Sequence, residues 1–131
     1  MKQELDNESR AALVAYRYDR AKETLKEASL LAENAYYNAA VNRLYYACFY
    51  ATEALLLKHH IQANTHAGVK SMFGLHFVAK GEIPLAVGKT LSTLFEKRQS
   101  GDYEDFIFCD KDVTRQATYF VETIGDMLKD A

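Results

Sequence analysis

The run Tyr36-Tyr37-Asn38-Ala39-Ala40-Val41-Asn42-Arg43-Leu44-Tyr45-Tyr46-Ala47-Cys48-Phe49-Tyr50-Ala51-Thr52-Glu53-Ala54-Leu55-Leu56-Leu57-Lys58-His59 decides how this chain folds. It is the most apolar stretch of the sequence and reads as a single helix from about Tyr36 to His59. A helix that is apolar on most faces belongs in the middle of a bundle. Within it, only Ala39–Leu57 invites a membrane reading. Asn42, Arg43, Thr52 and Glu53 interrupt that segment, and groups of this kind are expensive in lipid.

The flanking segments supply partners for such a helix. Before it, a first helix runs from about Glu8 to Glu33, with Leu13, Tyr16, Leu25, Ala28 and Leu31 on an apolar side. Arg17, Arg20, Lys22, Glu23 and Lys26 mark its wet side, and Asn34 with the tyrosines after it marks the break. After the central helix, Ile61–Asn64 form a short connection and Thr65 caps a third helix reaching about Lys80. Gly81 suits the C-terminal end of that helix, and Pro84 suits the first turn of a fourth. The fourth carries Leu85, Leu91, Leu94 and Phe95 and ends near Ser100-Gly101. Asp110 or Asp112 caps a fifth, with Val113, Ala117, Phe120, Ile124 and Leu128 at helical spacing. Nothing alternates at period two, so the fold class is all-α, a helical bundle.

Composition agrees with that assignment. The chain has 131 residues, enough for one domain over residues 1–131, and can bury roughly two thirds of its unfolded surface. The order of residues 1–7 is open. Hydrophobic residues at 49% argue against disorder, and one Pro with six Gly favours long helices. The 16 Lys and Arg against 18 Asp and Glu give a net charge of −2. That excludes a generally basic nucleic-acid coat while leaving room for a local basic pocket. Cys48 and Cys109 sit in apolar surroundings without close-pair spacing, and the four His complete no zinc set, so buried reduced thiols and no metal are expected. Met1–Arg10 is polar and charged and shows no secretory signal, which points to the cytoplasm.

Polar groups on the central helix hold the functional interest. At about 100° per residue, Asn42, Tyr46, Phe49 and Glu53 fall within a stripe roughly 60° wide, flanked by Arg43 and Tyr50 and preceded by Asn38. Burying such groups unpaired costs on the order of 1–3 kcal/mol each, so they meet water, each other or a partner. Two readings stand side by side: a structural network, such as an Arg43 ion pair with a neighbouring helix, or the wall of a polar cleft.

A second constellation, Arg98-Gln99-Ser100-Gly101-Asp102-Tyr103-Glu104-Asp105, closes the fourth helix. It reads as a capped helix end, because a guanidinium favours the C-terminal dipole and Gly101 frees the backbone to turn. It also reads as an anion site, with Arg98 gripping phosphate through paired hydrogen bonds and Tyr103 stacking or donating. His59-His60, His66 and His76 fit structural or solvated positions better than catalytic ones. No phosphate-binding glycine loop, nucleophile elbow or metal-ligand pair on one helical face is present in the sequence.

Three segments together, Asn42-Arg43-Leu44-Tyr45-Tyr46-Ala47-Cys48-Phe49-Tyr50-Ala51, Thr65-His66-Ala67-Gly68-Val69 and Arg98-Gln99-Ser100-Gly101-Asp102-Tyr103, resemble the successive motifs of HEPN-domain proteins. The likeness is to the small stand-alone prokaryotic branch and extends from about Asp19 to Leu128. It implies an up-and-down bundle of about five helices, a homodimer formed through the central helices, and a small nucleotidyltransferase partner, often in a toxin–antitoxin pair. Active toxins of the family are metal-independent ribonucleases, so no cofactor is expected. Their motif is an Arg, usually followed by a polar residue, with a His four to six residues after the Arg. Arg98 and Gln99 match the first two parts; Asp102 and Tyr103 occupy the window where the His belongs.

That departure bears on chemistry. Cleaving RNA without a metal requires proton transfer near neutral pH, which imidazole performs and an ordinary phenol with a pKa of about 10 does not. Asp102 serves as a base only with a raised pKa, and a nearby Arg98 lowers it. The leading expectation is a cleft at a dimer interface that binds a nucleotide or RNA phosphate, lined by Asn42, Arg43, Tyr46, Arg98, Asp102 and Tyr103. In it Arg98 holds the phosphate, Asp102 orients Arg98, and Tyr103 stacks. The alternatives are a toxin ribonuclease with an altered motif, in which Arg98 alone stabilises the transition state, and a dimerisation module without ligand, in which Arg43 and Glu53 are coupled.

Overall fold

A computed structural model of the chain describes residues 5–100 and 111–129, with residues 98–100 and 111 as backbone. These residues form five α-helices: α1 (Asn7–Glu33), α2 (Tyr37–Lys58), α3 (His66–Phe73), α4 (Leu85–Ser100) and α5 (Lys111–Lys129). A π-helical turn, Gly74–Val78, continues α3. No strand occurs among the described residues, and the helices follow the boundaries expected from the sequence to within a few residues.

The central position of α2 follows from its composition. It packs against each of the other four helices. Ala40, Ala47, Ala51 and Ala54 are wholly buried, and such small side chains let neighbours approach from several sides. Leu44, Leu55 and Leu56 fill the remaining space with Phe73 and Phe77 from α3 and its π turn, Leu91 and Leu94 from α4, and Phe120, Val121 and Ile124 from α5. The polar interruptions in this helix are locally satisfied. Thr52 Oγ1 donates to Cys48 O at 2.8 Å, and the buried Thr24 of α1 donates to Arg20 O at 2.7 Å. Cys48 is a buried free thiol whose S–H points at Ala117 O (3.9 Å), and burial pushes its pKa up. Cys109 lies outside the described residues.

Helix ends show where the backbone needed help. Asp6 caps α1 by accepting from Ser9 N at 2.7 Å, a bond that lowers its carboxyl pKa. Gly81, at φ +79, turns the chain after the π turn, as its position in the sequence suggests. Two other turns are made without glycine. Ala35 (φ 65) and His60 (φ 61) both occupy the left-handed region. Around them Tyr36 N reaches Leu31 O and Ile61 N reaches Leu56 O, each at 2.9 Å, the Schellman pattern that closes a helix.

At the far end of the bundle, two cations close helix C-termini. Arg10 donates to Leu57 O (3.0 Å), and Lys58 donates to Met127 O (3.2 Å) and Leu128 O (2.9 Å). The groove there, about 570 Å³ and lined by Arg10, Tyr18, Lys22, Lys58, His60 and Gly125 among others, is thus bordered by Arg10 and Lys58 engaged with backbone and by Lys22, which pairs with Asp19 at 3.4 Å.

A non-glycine residue at positive φ costs about 1–2 kcal/mol. Ala35→Gly is therefore expected to raise stability by about 0.5–1 kcal/mol, seen as a higher urea midpoint at unchanged m-value.

Candidate functional site

The polar side of α2 faces α1 in one antiparallel register. Moving from Arg43 to Tyr50 to Glu53 along α2 matches moving from Glu27 to Arg20 to Arg17 back along α1. Arg43 lies 3.7 Å from Glu27, half-exposed, and donates to Asn42 Oδ1 at 3.2 Å. Its guanidinium also sits over the Tyr46 ring, 5.2 Å from the centroid. One turn further on, Arg20 lies over Tyr50 at 5.5 Å, and hydrogen bonding with Tyr50 raises the guanidinium pKa further.

The expected group Asn42, Arg43 and Tyr46 is therefore assembled on one face. The ion pair from Arg43 to a neighbouring helix is also present, with Glu27. Glu53 departs from the expected stripe. It lies beside Arg17 and the 61–64 connection in a separate small pocket of about 130 Å³. Arg43 pairs with Glu27, while the charge of Arg17 acts on Glu53, so α1 sets an opposite charge at each level. Arg98 belongs to the last turn of α4, and its side chain lies outside the described residues, as do Asp102 and Tyr103. Its backbone follows Phe95 by three residues, ~4.5 Å along the helix. Phe95 in turn packs against Tyr45 of α2 at 5.9 Å, which brings this end of α4 to the same region.

Sequence reasoning set aside the residue that organises this face. His66 begins α3, directly after Thr65, whose side chain accepts from Gly68 N at 2.9 Å. A Cβ on Gly68 would stand 3.0 Å from that same oxygen, so the Thr65-His66-Ala67-Gly68 sequence is a compact cap. The cap delivers the imidazole onto α2. His66 stacks on Phe49 with centroids 4.3 Å apart and planes at 15°, and meets the Tyr46 ring edge-on at 5.7 Å. Its Nδ1 shares a 2.7 Å hydrogen bond with the hydroxyl of Tyr45, a residue only 1% exposed. On the next turn of α3, Lys70 places its ammonium 5.0 Å from the Phe95 centroid. The signal for this was the Thr65 cap, which fixes His66 at a helix start; what it meets depends on the bundle's register.

The result is a patch in which the partly exposed rings of Tyr50, Tyr46 and Phe95, backed by the buried Tyr45 and Phe49, alternate with Arg20, Arg43, His66 and Lys70. Among the described residues no three or more His, Cys, Asp or Glu side chains are grouped to hold a metal ion. No described helix is long and apolar enough to cross a membrane.

A five-helix all-α bundle carrying a cation-and-aromatic face on its central helix defines the class of protein. Comparison with known proteins supplies the family. The HEPN domain matches residues 14–131. The chain is 36% identical over 122 residues to a UPF0332 protein of Thermotoga maritima, covering 90% of this chain and 92% of that one. It is 36% identical over 113 residues to a protein of Methanocaldococcus jannaschii called a "putative toxin", covering 84% of each. A UPF0332 protein of Pyrococcus horikoshii is 44% identical over 70 residues, which are 53% of this chain and 49% of that one. The chain belongs to the HEPN domain family.

Burial raises the Glu53 pKa, and Arg17 offsets part of the rise. A carboxyl whose folded pKa is raised favours folding when protonated, and that contribution is lost as pH rises through the folded value. Glu53→Gln, which resembles the protonated form, is expected to melt above wild type at pH 7. The difference should shrink to nothing as pH falls through the raised pKa toward the ordinary glutamate value, as thermal melts across that range would record.

Proposed function

We propose that this HEPN protein binds RNA or nucleotide phosphate on the polar face of α2, in a cleft completed by a second copy of the chain. The observation that carries the reading is the alternation of cations with aromatic rings around Tyr46. Guanidinium groups neutralise phosphate and grip it with paired hydrogen bonds, while exposed ring faces accept unstacked bases. Arg43, Asn42 and Tyr46 supply both kinds of contact, with Arg98, Asp102 and Tyr103 joining from the end of α4 and the segment after it.

Several features support this over a purely structural network. Arg43 pairs with Glu27 at a distance and exposure where such pairs contribute about 0–1 kcal/mol, so folding alone gives little reason for the charge. Asn38 and Ala39 are exposed, and Asn42, Arg43, Tyr46 and Tyr50 are only partly covered, whereas twelve other residues of α2 between Ala40 and Leu56 are buried. That open side is where a second copy would pack. A nucleotidyltransferase is the proposed partner, by family membership, and the cytoplasm the proposed setting, from the polar Met1–Arg10 segment. Relatives named "putative toxin" support a toxin role.

Isothermal titration with a short single-stranded RNA and with nucleotides tests the reading. Wild type is expected to bind, with Tyr46→Ala losing about 1–3 kcal/mol and Arg43→Ala or Arg98→Ala lowering the salt slope by about one counterion each. Absence of binding by wild type, or equal binding by all four proteins, would refute it. Sedimentation at the same concentrations checks the second copy: a monomer at all loadings removes the dimer from the proposal.

A further inference from the structure

We propose that Arg20 and Tyr50 form a second nucleotide subsite beside the one at Arg43 and Tyr46, so that the ligand of this face is an unpaired strand of at least two nucleotides. The inference rests on the binding reading above and deepens it by naming the substrate class. Its basis is a repeated unit.

Each unit is one guanidinium held over one tyrosine ring. In the first, Arg43 lies 5.2 Å from the Tyr46 centroid. In the second, Arg20 lies 5.5 Å from the Tyr50 centroid. Both rings stand on α2, one turn apart, while the cations come from different helices, Arg43 from α2 and Arg20 from α1. The same pairing is thus built twice by different means. A guanidinium placed this way has two uses for a nucleotide: its N–H edges grip phosphate oxygens, and its plane accepts a base.

The spacing of the units selects the kind of strand. The Tyr46 and Tyr50 centroids are 5.8 Å apart, with planes at 41°. A duplex strand advances only about 3.4 Å per nucleotide, with its bases stacked on one another. Two platforms set wider than that and tilted suit bases that have left the stack, which is how aromatic and guanidinium planes receive single strands.

The charges around the units fit the same reading. Glu27 stands 3.7 Å from Arg43, beyond the roughly 2.7–3.2 Å of a hydrogen bond. Hydrogen bonding with Tyr50 raises the Arg20 pKa most, and the Glu27 charge adds to it, so one carboxylate lies near both cations. An ion pair that lacks a hydrogen bond is open to displacement by a phosphate that makes one. Along α2 the series stops after two units: three residues beyond Tyr50 comes Glu53, a carboxylate in its own pocket with Arg17.

Isothermal titration of the full chain with adenosine 5′-monophosphate, a 5′-phosphorylated adenosine dinucleotide, a longer single strand and an RNA duplex of that length provides the test. Wild type should bind the dinucleotide about 10–100-fold more tightly than the mononucleotide, and the single strand more tightly than the duplex. Arg20→Ala and Tyr50→Ala should reduce the dinucleotide's advantage to less than threefold, with mononucleotide affinity within twofold of wild type. Arg20→Gln, at a half-buried position, carries the test should Tyr50→Ala disturb the fold. Glu27→Gln should tighten dinucleotide binding. Wild type that binds a longer strand but shows no preference for the dinucleotide overturns the second subsite and spares the binding reading. Folded variants that keep the wild-type preference, or that weaken both ligands in equal proportion, also overturn it and leave Arg20 and Tyr50 as register residues. A duplex bound as tightly as the single strand overturns the substrate class, and wild type that binds none of the four overturns both readings.

Discussion

Almost every feature of the molecule follows from the enclosure of α2. A helix packed on four sides has to be small-sided where neighbours press closely, which accounts for the buried alanines at 40, 47, 51 and 54. It also has to place its polar groups where either the backbone or a neighbouring helix can answer them. Thr52 answers itself through the carbonyl one turn back. Arg43, Tyr50 and Glu53 are answered from α1, whose Glu27, Arg20 and Arg17 stand at matching levels in an antiparallel register. Polar residues on the central helix therefore act as register marks. A slip of one residue would separate all three pairs together.

The same enclosure leaves one region uncovered, near the N-terminal half of α2, and the aromatic residues concentrate there. Tyr46 and Tyr50 are neither core nor fully exposed, and each carries a guanidinium on its ring. Two cations lie over two rings here, with a third over Phe95. A cation on an aromatic face gains about 0.5–1 kcal/mol at an exposed site. Stability alone could be had more simply with aliphatic contacts. In the groove at the opposite end of the bundle, Arg10 and Lys58 are bound to the carbonyls that end α2 and α5, while Lys22 lies over the Tyr18 ring at 5.3 Å.

Much of this was legible from sequence, for reasons that differ by residue. The helical character of α2 and the stripe Val113, Ala117, Phe120, Ile124 and Leu128 on α5 are local periodicities, and periodicity survives folding. Thr65 and Gly81 act as expected because caps and left-handed turns are set by the residue and its immediate neighbours. Ala35 and His60 were illegible as turn residues because neither has the glycine that usually marks a left-handed position; packing and the Schellman bonds hold them there. The π turn at Gly74–Val78 has no sequence marker either. Site residues divide the same way. Asn42, Arg43 and Tyr46 share one helix, so their proximity followed from an angle of 100° per residue. Glu53 shares that angle and still belongs to a different pocket, because its level on the helix, set by α1 and the 61–64 connection, decides its partner.

His66 shows how far a local motif can reach once the bundle is formed. Thr65 and Gly68 specify nothing about RNA or imidazole chemistry; they fix where a helix begins and leave no room for another side chain at the cap. Yet fixing that start fixes the first side chain of α3, and the packing of α3 on α2 carries it onto Phe49, Tyr45 and Tyr46. Chemistry at a site constrains which groups converge there; it does not constrain which helix brings them. A residue dismissed on its position in a motif has to be judged again once its neighbours in space are known.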